Sequence, residues 1–384
     1  MTAALPDGPL RGPAFGSYEP DEVGWLLTDL SGAALEAPTE EREEAVQSGG
    51  AHYAESLPIE YAPDPAYLAL YEEALERTAL RLAVAVGTAA ELVLRDRPAP
   101  VLASLARAGT PVGVLLRRWA ARFHGVEPPH YAVSIVRGRG IDAVALEWLA
   151  RVHDPADVVF VDGWTGKGAI ATELTAALRA FRASTGTAFE EDGLVVLADP
   201  GSCVRVFGTR EDFLLASSCL NSTVSGLVSR TVLKPGLIGP GDFHGAKFYS
   251  GLAAEDRSIS FLDRVEREFE AAEAEVRARL AEPVDRAPTW AGRREVERIA
   301  AVYGIDDLNL VKPGVGEATR VLLRRVPWRL LVRDPGDVEV AHLLHLAEQR
   351  GVPVETVPSL TYRAVGVIHP RFTRGAVGAA GTAA

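Results

Sequence analysis

The feature that most limits this chain is a repeated unit: a short aliphatic run, a glycine-containing turn, then a stretch with apolar residues every three or four positions. It occurs at residues 100–104 before LARAGT and VGVLLRRWAARF, at 131–136 before RGRG and IDAVALEWLARV, and at 157–161 before DGWTGKG and AIATELTAALRAFRA. Residues 194–198, leading into DPGS, make a fourth. A strand that returns through a helix comes back parallel, and a parallel sheet is covered by helices on both faces. The expected fold class is therefore α/β, with ligands at the carboxyl ends of the strands, where these turns lie.

Around this core, residues 1–64 read as an N-terminal lead-in and cover segment, and the Ala-, Leu- and Glu-rich stretch from 65 opens the α/β domain, expected over 65–254. A charged helix over 255–282 suggests a helical linker across 255–304. A smaller α/β unit follows over 305–370, and 371–384 reads as a disordered tail. With 47% hydrophobic and 24% charged residues the chain can build sizeable cores, which excludes wholesale disorder. Two cysteines exclude a disulfide framework or a four-cysteine zinc site. The net charge of −12 argues against coating nucleic acid by bulk electrostatics. Charge is uneven, however. From Ile305 onward there are 10 Lys+Arg against 8 Asp+Glu, and the rest carries 30 against 44, a mildly basic module on an acidic body. No segment approaches the ~20 apolar residues needed to cross a bilayer. No membrane partner is expected, the expected compartment is the cytoplasm, and a homo-oligomeric state is left open.

The strongest local signal is VVFVDGWTGKG at 158–168. Four apolar residues make a buried strand, Asp162 sits at its carboxyl end, and Gly163, Thr165, Gly166, Lys167 and Gly168 form a turn into a helix N-terminus. Such a turn can cradle an anion with backbone N–H groups, and Lys167 adds a mobile positive charge. It is not a Walker A loop, because the spacing differs and Gly168 stands where a Mg²⁺-binding hydroxyl is needed. A second loop of the type, Ala106, Arg107, Ala108, Gly109 and Thr110, lies upstream. Two such loops on one sheet suit a ligand with two separated phosphate groups.

The order of these loops resembles that of type I phosphoribosyltransferases. That resemblance implies that residues 106–110 meet the pyrophosphate of phosphoribosyl pyrophosphate, Asp162 the ribose hydroxyls, and 165–168 the 5′-phosphate. It further implies that Arg107, Arg137 or Arg139 neutralises the leaving group with Mg²⁺. Gly163 replaces the second acid usual in that family. More closely, the chain resembles the StiP-type proteins of bacterial tellurite-resistance and stress gene clusters, in which a phosphoribosyltransferase-like domain precedes a pelota-like RNA-binding domain. GSYEPDEVGWLLTDL, HYAESLPIEY, SLARAGTPVGVLLRR, VFVDGWTGKGAI, SCLNSTVSGLVSRT, DFHGAKFY and VKPGVGEATR carry that likeness.

The implied activity is phosphoribosyl transfer to a nucleobase-like or RNA-linked acceptor. A ribose-phosphate sensor coupled to RNA binding is the non-catalytic rival. Acceptor candidates are His52 and Glu55 in a Pro-flanked segment, Cys219 and Asn221 in a run of small polar residues, and His244 and Lys247 in DFHGAKFY. The StiP-type proteins are also labelled cysteine proteases, so Cys203 or Cys219 with His52, His130 or His244 is a third reading. In the tail module Gly316, Glu317, Thr319 and Arg320 resemble the loop-helix of pelota and kink-turn binders, with Lys312, Arg324 and Arg325 completing a basic face toward RNA.

Overall fold

The computed structural model describes residues 5–37, 53–60 and 62–369; His52 and the expected tail at 371–384 lie outside the described residues. The main sheet contains Gly24–Leu26 (β1), Val101–Ala106 (β2), His130–Val136 (β3), Gly140–Ile141 (β4), Val158–Trp164 (β5), Val195–Ala198 (β6) and Val206–Thr209 (β7). Their spatial order is β1-β3-β2-β5-β6-β7, with every adjacent pair parallel, while β4 turns back antiparallel on β3. The parallel sheet expected from the repeated units is present, and a strand from the lead-in segment extends its edge.

The strands bury both faces because their residues alternate between two cores. Leu102, Val159, Val161 and Leu197 pack with helices Pro65–Asp96 (α1) and Thr110–His124 (α2). Ala103, Leu105, Phe160 and Val196 pack with Ala143–Val152 (α3) and Ala169–Thr185 (α4). Helix α1 begins at Asp64, whose carboxylate accepts the Ala66 N–H at 2.7 Å, with Pro65 in the first turn. Its centre is rich in small residues, which lets neighbours close in. A Cβ on Gly87 would lie 2.5 Å from the Trp119 ring and 2.7 Å from Val276.

The charged stretch expected to bridge domains is instead two helices, Ser258–Glu266 (α5) and Phe269–Ala281 (α6). Phe261, Leu262, Val265, Phe269, Ala272 and Val276 recur at helical spacing among the charges and are buried in the core that holds α1 and α2. The charged residues form the outward face of a packed layer.

The C-terminal domain has helix Ala291–Tyr303 (α7), strand Val311–Pro313 (β8), helix Val315–Arg324 (α8), strand Pro327–Val332 (β9), helix Ala341–Gln349 (α9) and strands Val354–Thr356 (β10) and Ala364–Ile368 (β11). Its sheet runs β8-β11-β9-β10, with β9 and β10 parallel and the other pairs antiparallel. Asp212, buried beyond β7, ties it to the main sheet. One carboxylate oxygen accepts the Val315 N–H and the other the Arg363 N–H, each at 2.8 Å. Burial pushes the Asp212 carboxyl up to about 6 against the pull of those two donors. Elsewhere along the seam the buried Glu339 meets Arg81 of α1 at 2.9 Å, and the Gly292 N–H donates to the Gly201 carbonyl at 2.9 Å.

Removing the Asp212 carboxylate leaves two buried N–H groups without acceptors. Asp212→Ala is expected to cost about 2–5 kcal/mol, read as a lower melting temperature and faster tryptic cleavage after Arg286; unchanged melting and cleavage would remove Asp212 from this role.

Candidate functional site

After β2 the chain passes to α2 on one face of the sheet, and after β5 to α4 on the other, so a crevice opens between the carboxyl ends of these strands. The C-terminal domain covers it, leaving a cleft of about 340 Å³. Arg107 and Ala108 line it from the loop after β2, Pro111 from the first turn of α2, and residues 162–167 from the end of β5. Ser217, Ser218, Leu220 and Asn221 add a third wall, and Lys312, Gly316, Glu317 and Arg320 lie on the C-terminal side. The two loops singled out in the sequence therefore meet. A Cβ on Gly163 would lie 3.5 Å from the Ala108 carbonyl oxygen.

Not every loop residue faces the space. Ala106 ends β2 and is joined to Arg107 by a cis peptide. Gly109 lies so close under β5 that a side chain there would strike the Val161 carbonyl, and Thr110 is fully buried at the start of α2. Both support the turn from behind. Gly168, in the left-handed conformation (φ 75°), caps α4 and sits against the Trp290 ring.

Asp162 is 9% exposed at the cleft wall, and its Oδ1 accepts the N–H of Gly163 at 2.8 Å. Burial drives its carboxyl up to about 7, against the pull of that N–H. The Lys167 ammonium donates to the Leu308 carbonyl at 2.6 Å, across the domain seam. Burial lowers it to about 8, and repulsion from Lys312 and Arg137 adds to the shift. Lys312 is lowered too, by burial first, with Glu317 opposing and Arg137, Arg325 and Arg320 reinforcing. Arg137 donates to the Asn309 side chain at 3.0 Å, and Arg320 stands 3.5 Å from Glu317.

The structure leaves other expected residues outside this cleft. Arg139 borders a separate surface hollow with Glu173 and Phe181. The Glu173 carboxylate accepts the N–H groups of Gly138 and Gly140, each at 3.1 Å, so RGRG is a pinned turn into β4 with only Arg137 facing the cleft. His244 is buried, its ring Nδ1 2.8 Å from the Ser134 hydroxyl, and its backbone N–H donates to the Asp142 carboxylate at 2.6 Å. Lys247 is spent on the Ala33 carbonyl at 2.7 Å and Glu36 at 2.8 Å. Thr319 points inward, bonding the Val315 carbonyl and His342. Glu55 closes a short turn away from the cleft lining, beside Ala54 and Ser56, whose carbonyls accept from Leu233 and Arg230. Glu60 accepts from the Ser222 N–H and hydroxyl at 3.1 and 2.9 Å and lies 3.8 Å from Arg107. That segment thus runs along the one carrying Cys219 and Asn221.

Both cysteines are buried. The Cys203 thiol donates to the carbonyls of Gly166 and Gly201 at 3.4 Å, and burial followed by the neighbouring Asp199 raises it to about 12. Asp199 holds the Cys203 N–H and Arg210, so this thiol is a locked, protonated group. Cys219 is 3% exposed, but Ser217, Ser218, Leu220 and Asn221 on either side of it form cleft wall. His130, bonded to Ser104 and the Glu22 carbonyl, is held down to about 4 by burial. Neither it nor His244 is available as a base. Among the described residues no group of three or more His, Cys, Asp or Glu side chains could hold a metal. No described helix is long and apolar enough to cross a membrane.

Sequence reasoning missed Tyr362, whose hydroxyl donates to the Gly166 carbonyl at 3.1 Å, and Pro313, 3.2 Å from where a Gly166 Cβ would be. With Trp290 on Gly168, they pack the 165–168 loop beneath the C-terminal domain, where a 5′-phosphate was expected to lie. No spacing in the sequence marks these contacts, because they join segments more than a hundred residues apart.

Residues 16–266 match the family model described as "Tellurite-like stress resistance cysteine protease StiP", and residues 290–370 the model of the PELOTA RNA binding domain. The chain belongs to the StiP family. A protein named cysteine protease StiP from Acinetobacter baylyi (strain ATCC 33305 / BD413 / ADP1) is 35% identical over 364 residues, covering 92% of this chain and 94% of that one. No solved structure matches. These findings overturn the expectation of phosphoribosyl transfer: family and relative alike are named as cysteine proteases, and neither name points to a glycosyl transferase or to phosphoribosyl pyrophosphate.

Because burial raises Asp162 in the folded chain from its ordinary value of 3.8 to about 7, the folded state binds the proton more tightly than the unfolded state. Its contribution to stability is therefore greatest below about pH 4 and declines as pH rises through about 7. Asp162→Asn keeps an acceptor for Gly163 and removes the buried charge, and should gain about 2–4 kcal/mol at pH 8 and almost nothing at pH 4. Thermal melts at the two pH values check this; an equal effect at both would contradict it.

Proposed function

We propose that this chain is a thiol-dependent peptide hydrolase working at the cleft between its two domains, with Cys219 as nucleophile. The observation that carries this reading is the position of Cys219 within 217–221, a segment whose other four residues line the cleft. A cysteine nucleophile needs an exposed, deprotonated sulfur near a base and donors for the developing oxyanion. Both thiols are 3% exposed, but the Cys203 thiol is in addition bonded to carbonyls beneath the 165–168 loop and held protonated beside Asp199. Cys219 would reach a bound carbonyl by turning its side chain outward from the short 3₁₀ turn that precedes it, and Asn221 supplies an amide on the same wall. With His130 and His244 committed to the interior, His52 is the remaining candidate base from the sequence. The phosphoribosyltransferase-like scaffold enters this reading as architecture alone. RNA is the proposed partner of the C-terminal domain, in keeping with the domain model it matches.

Hydrolysis of unfolded casein and of quenched fluorescent peptides by the full chain tests the assignment. Cys219→Ser and His52→Ala should each lower turnover, the former by about 10³-fold or more, as loss of a nucleophile does. Cys203→Ser should retain it. Full turnover in Cys219→Ser, or its loss in a folded Cys203→Ser protein alone, would overturn the choice.

A further inference from the structure

The C-terminal loop-helix singled out as the RNA-facing element does not look outward. Gly316, Glu317 and Arg320 lie on the cleft wall with Lys312, opposite Asp162 and Lys167. A Cβ on Gly316 would lie 3.2 Å from the Ser218 hydroxyl of the other domain. Anything that meets this face therefore also meets the strand-end loops of the main sheet.

The charges of the cleft say what such a ligand carries. Arg107, Arg137, Lys167, Lys312 and Arg320 line it, against the carboxylates of Asp162 and Glu317. Lys167, Lys312 and Arg137 repel one another across the seam, and burial holds the two lysines below their ordinary range. Phosphate groups entering this partly enclosed space would relieve that repulsion and be held by charge-assisted bonds. The volume of about 340 Å³ is at the small end of ligand pockets, which span roughly 300–1,000 Å³. It takes a nucleotide-sized group and not a duplex. Unstacked nucleotides are the parts of RNA that proteins draw into pockets. Trp164 is part of the lining, its ring packed against Gly166 and Gly314 where the two domains meet.

We infer that single-stranded RNA binds in the interdomain cleft, its phosphates shared between Lys312 and Arg320 on one wall and Lys167 and Arg107 on the other. This rests on RNA being the partner of the C-terminal domain. It adds that the main domain is half of the site, so that bound RNA lies over the wall carrying Cys219 and excludes a peptide from it.

Binding of a fluorescein-labelled single-stranded RNA 12-mer to the full chain, followed by anisotropy over a range of salt concentrations, tests this. Lys312→Ala and Lys167→Ala should each weaken binding by roughly tenfold and make the salt dependence shallower by about 0.7 per lost phosphate contact. Because Lys167 also bonds Leu308, the unaltered protein supplies a second readout. Photo-crosslinking with 4-thiouridine RNA should label peptides from both domains, including the one that contains Trp164. If the RNA binds, Lys167→Ala leaves affinity unchanged and crosslinks fall only within 305–369, the shared cleft is wrong and RNA binding by the C-terminal domain stands. If no RNA binds, both fail.

Discussion

A carboxylate buried where two domains meet holds this protein in its working shape. Asp212 accepts one backbone N–H at the start of α8 and another just before β11, so it fixes the loop-helix of the C-terminal domain above the sheet. A buried carboxylate without donors would be costly, and two backbone N–H groups without an acceptor would be equally so. Each side of the seam therefore requires the other. The Lys167–Leu308 and Tyr362–Gly166 bonds repeat the arrangement a few residues away. The cleft is the space these bonds leave open, and its walls come from both domains.

The transferase expectation was reasonable from the order of the loops, and it is the family and the relative, both named as cysteine proteases, that overturn it. The loops after β2 and β5 stand side by side at the switch in strand order, as the spacing of the repeated units required. What sequence could not supply was the roof. Gly166 and Gly168 read as an open anion cradle, whereas in the folded chain Gly168 lies against Trp290 and Gly166, still on the cleft wall, also meets Tyr362 and Pro313. Small residues that admit a ligand and small residues that admit another domain look alike in a sequence.

The parallel sheet was legible because runs such as VVFV and the periodicity of the following helices are local signals. The packing of α5 and α6 was less so, since their charge masked apolar residues at three- and four-residue spacing. Within the site, Asp162, Lys167, Arg107, Arg137 and Asn221 were named from sequence and line the cleft, as do Lys312, Gly316, Glu317 and Arg320. His244, Lys247, Thr319 and Arg139 carried equally suggestive chemistry but serve the interior or another surface. Polar residues fail as site predictors when their partners are distant in the chain, and Asp212, one acid among several charges in TREDF, went unnoticed for the same reason.

The central claim is that the two domains build one site. Hydrogen exchange on the full chain, with and without single-stranded RNA, tests it most directly, because it reads both walls at once without altering a residue. The account predicts that amides around 162–168 and 312–320 gain protection together. Protection confined to 312–320, with the strand-end loop exchanging as before, would contradict it.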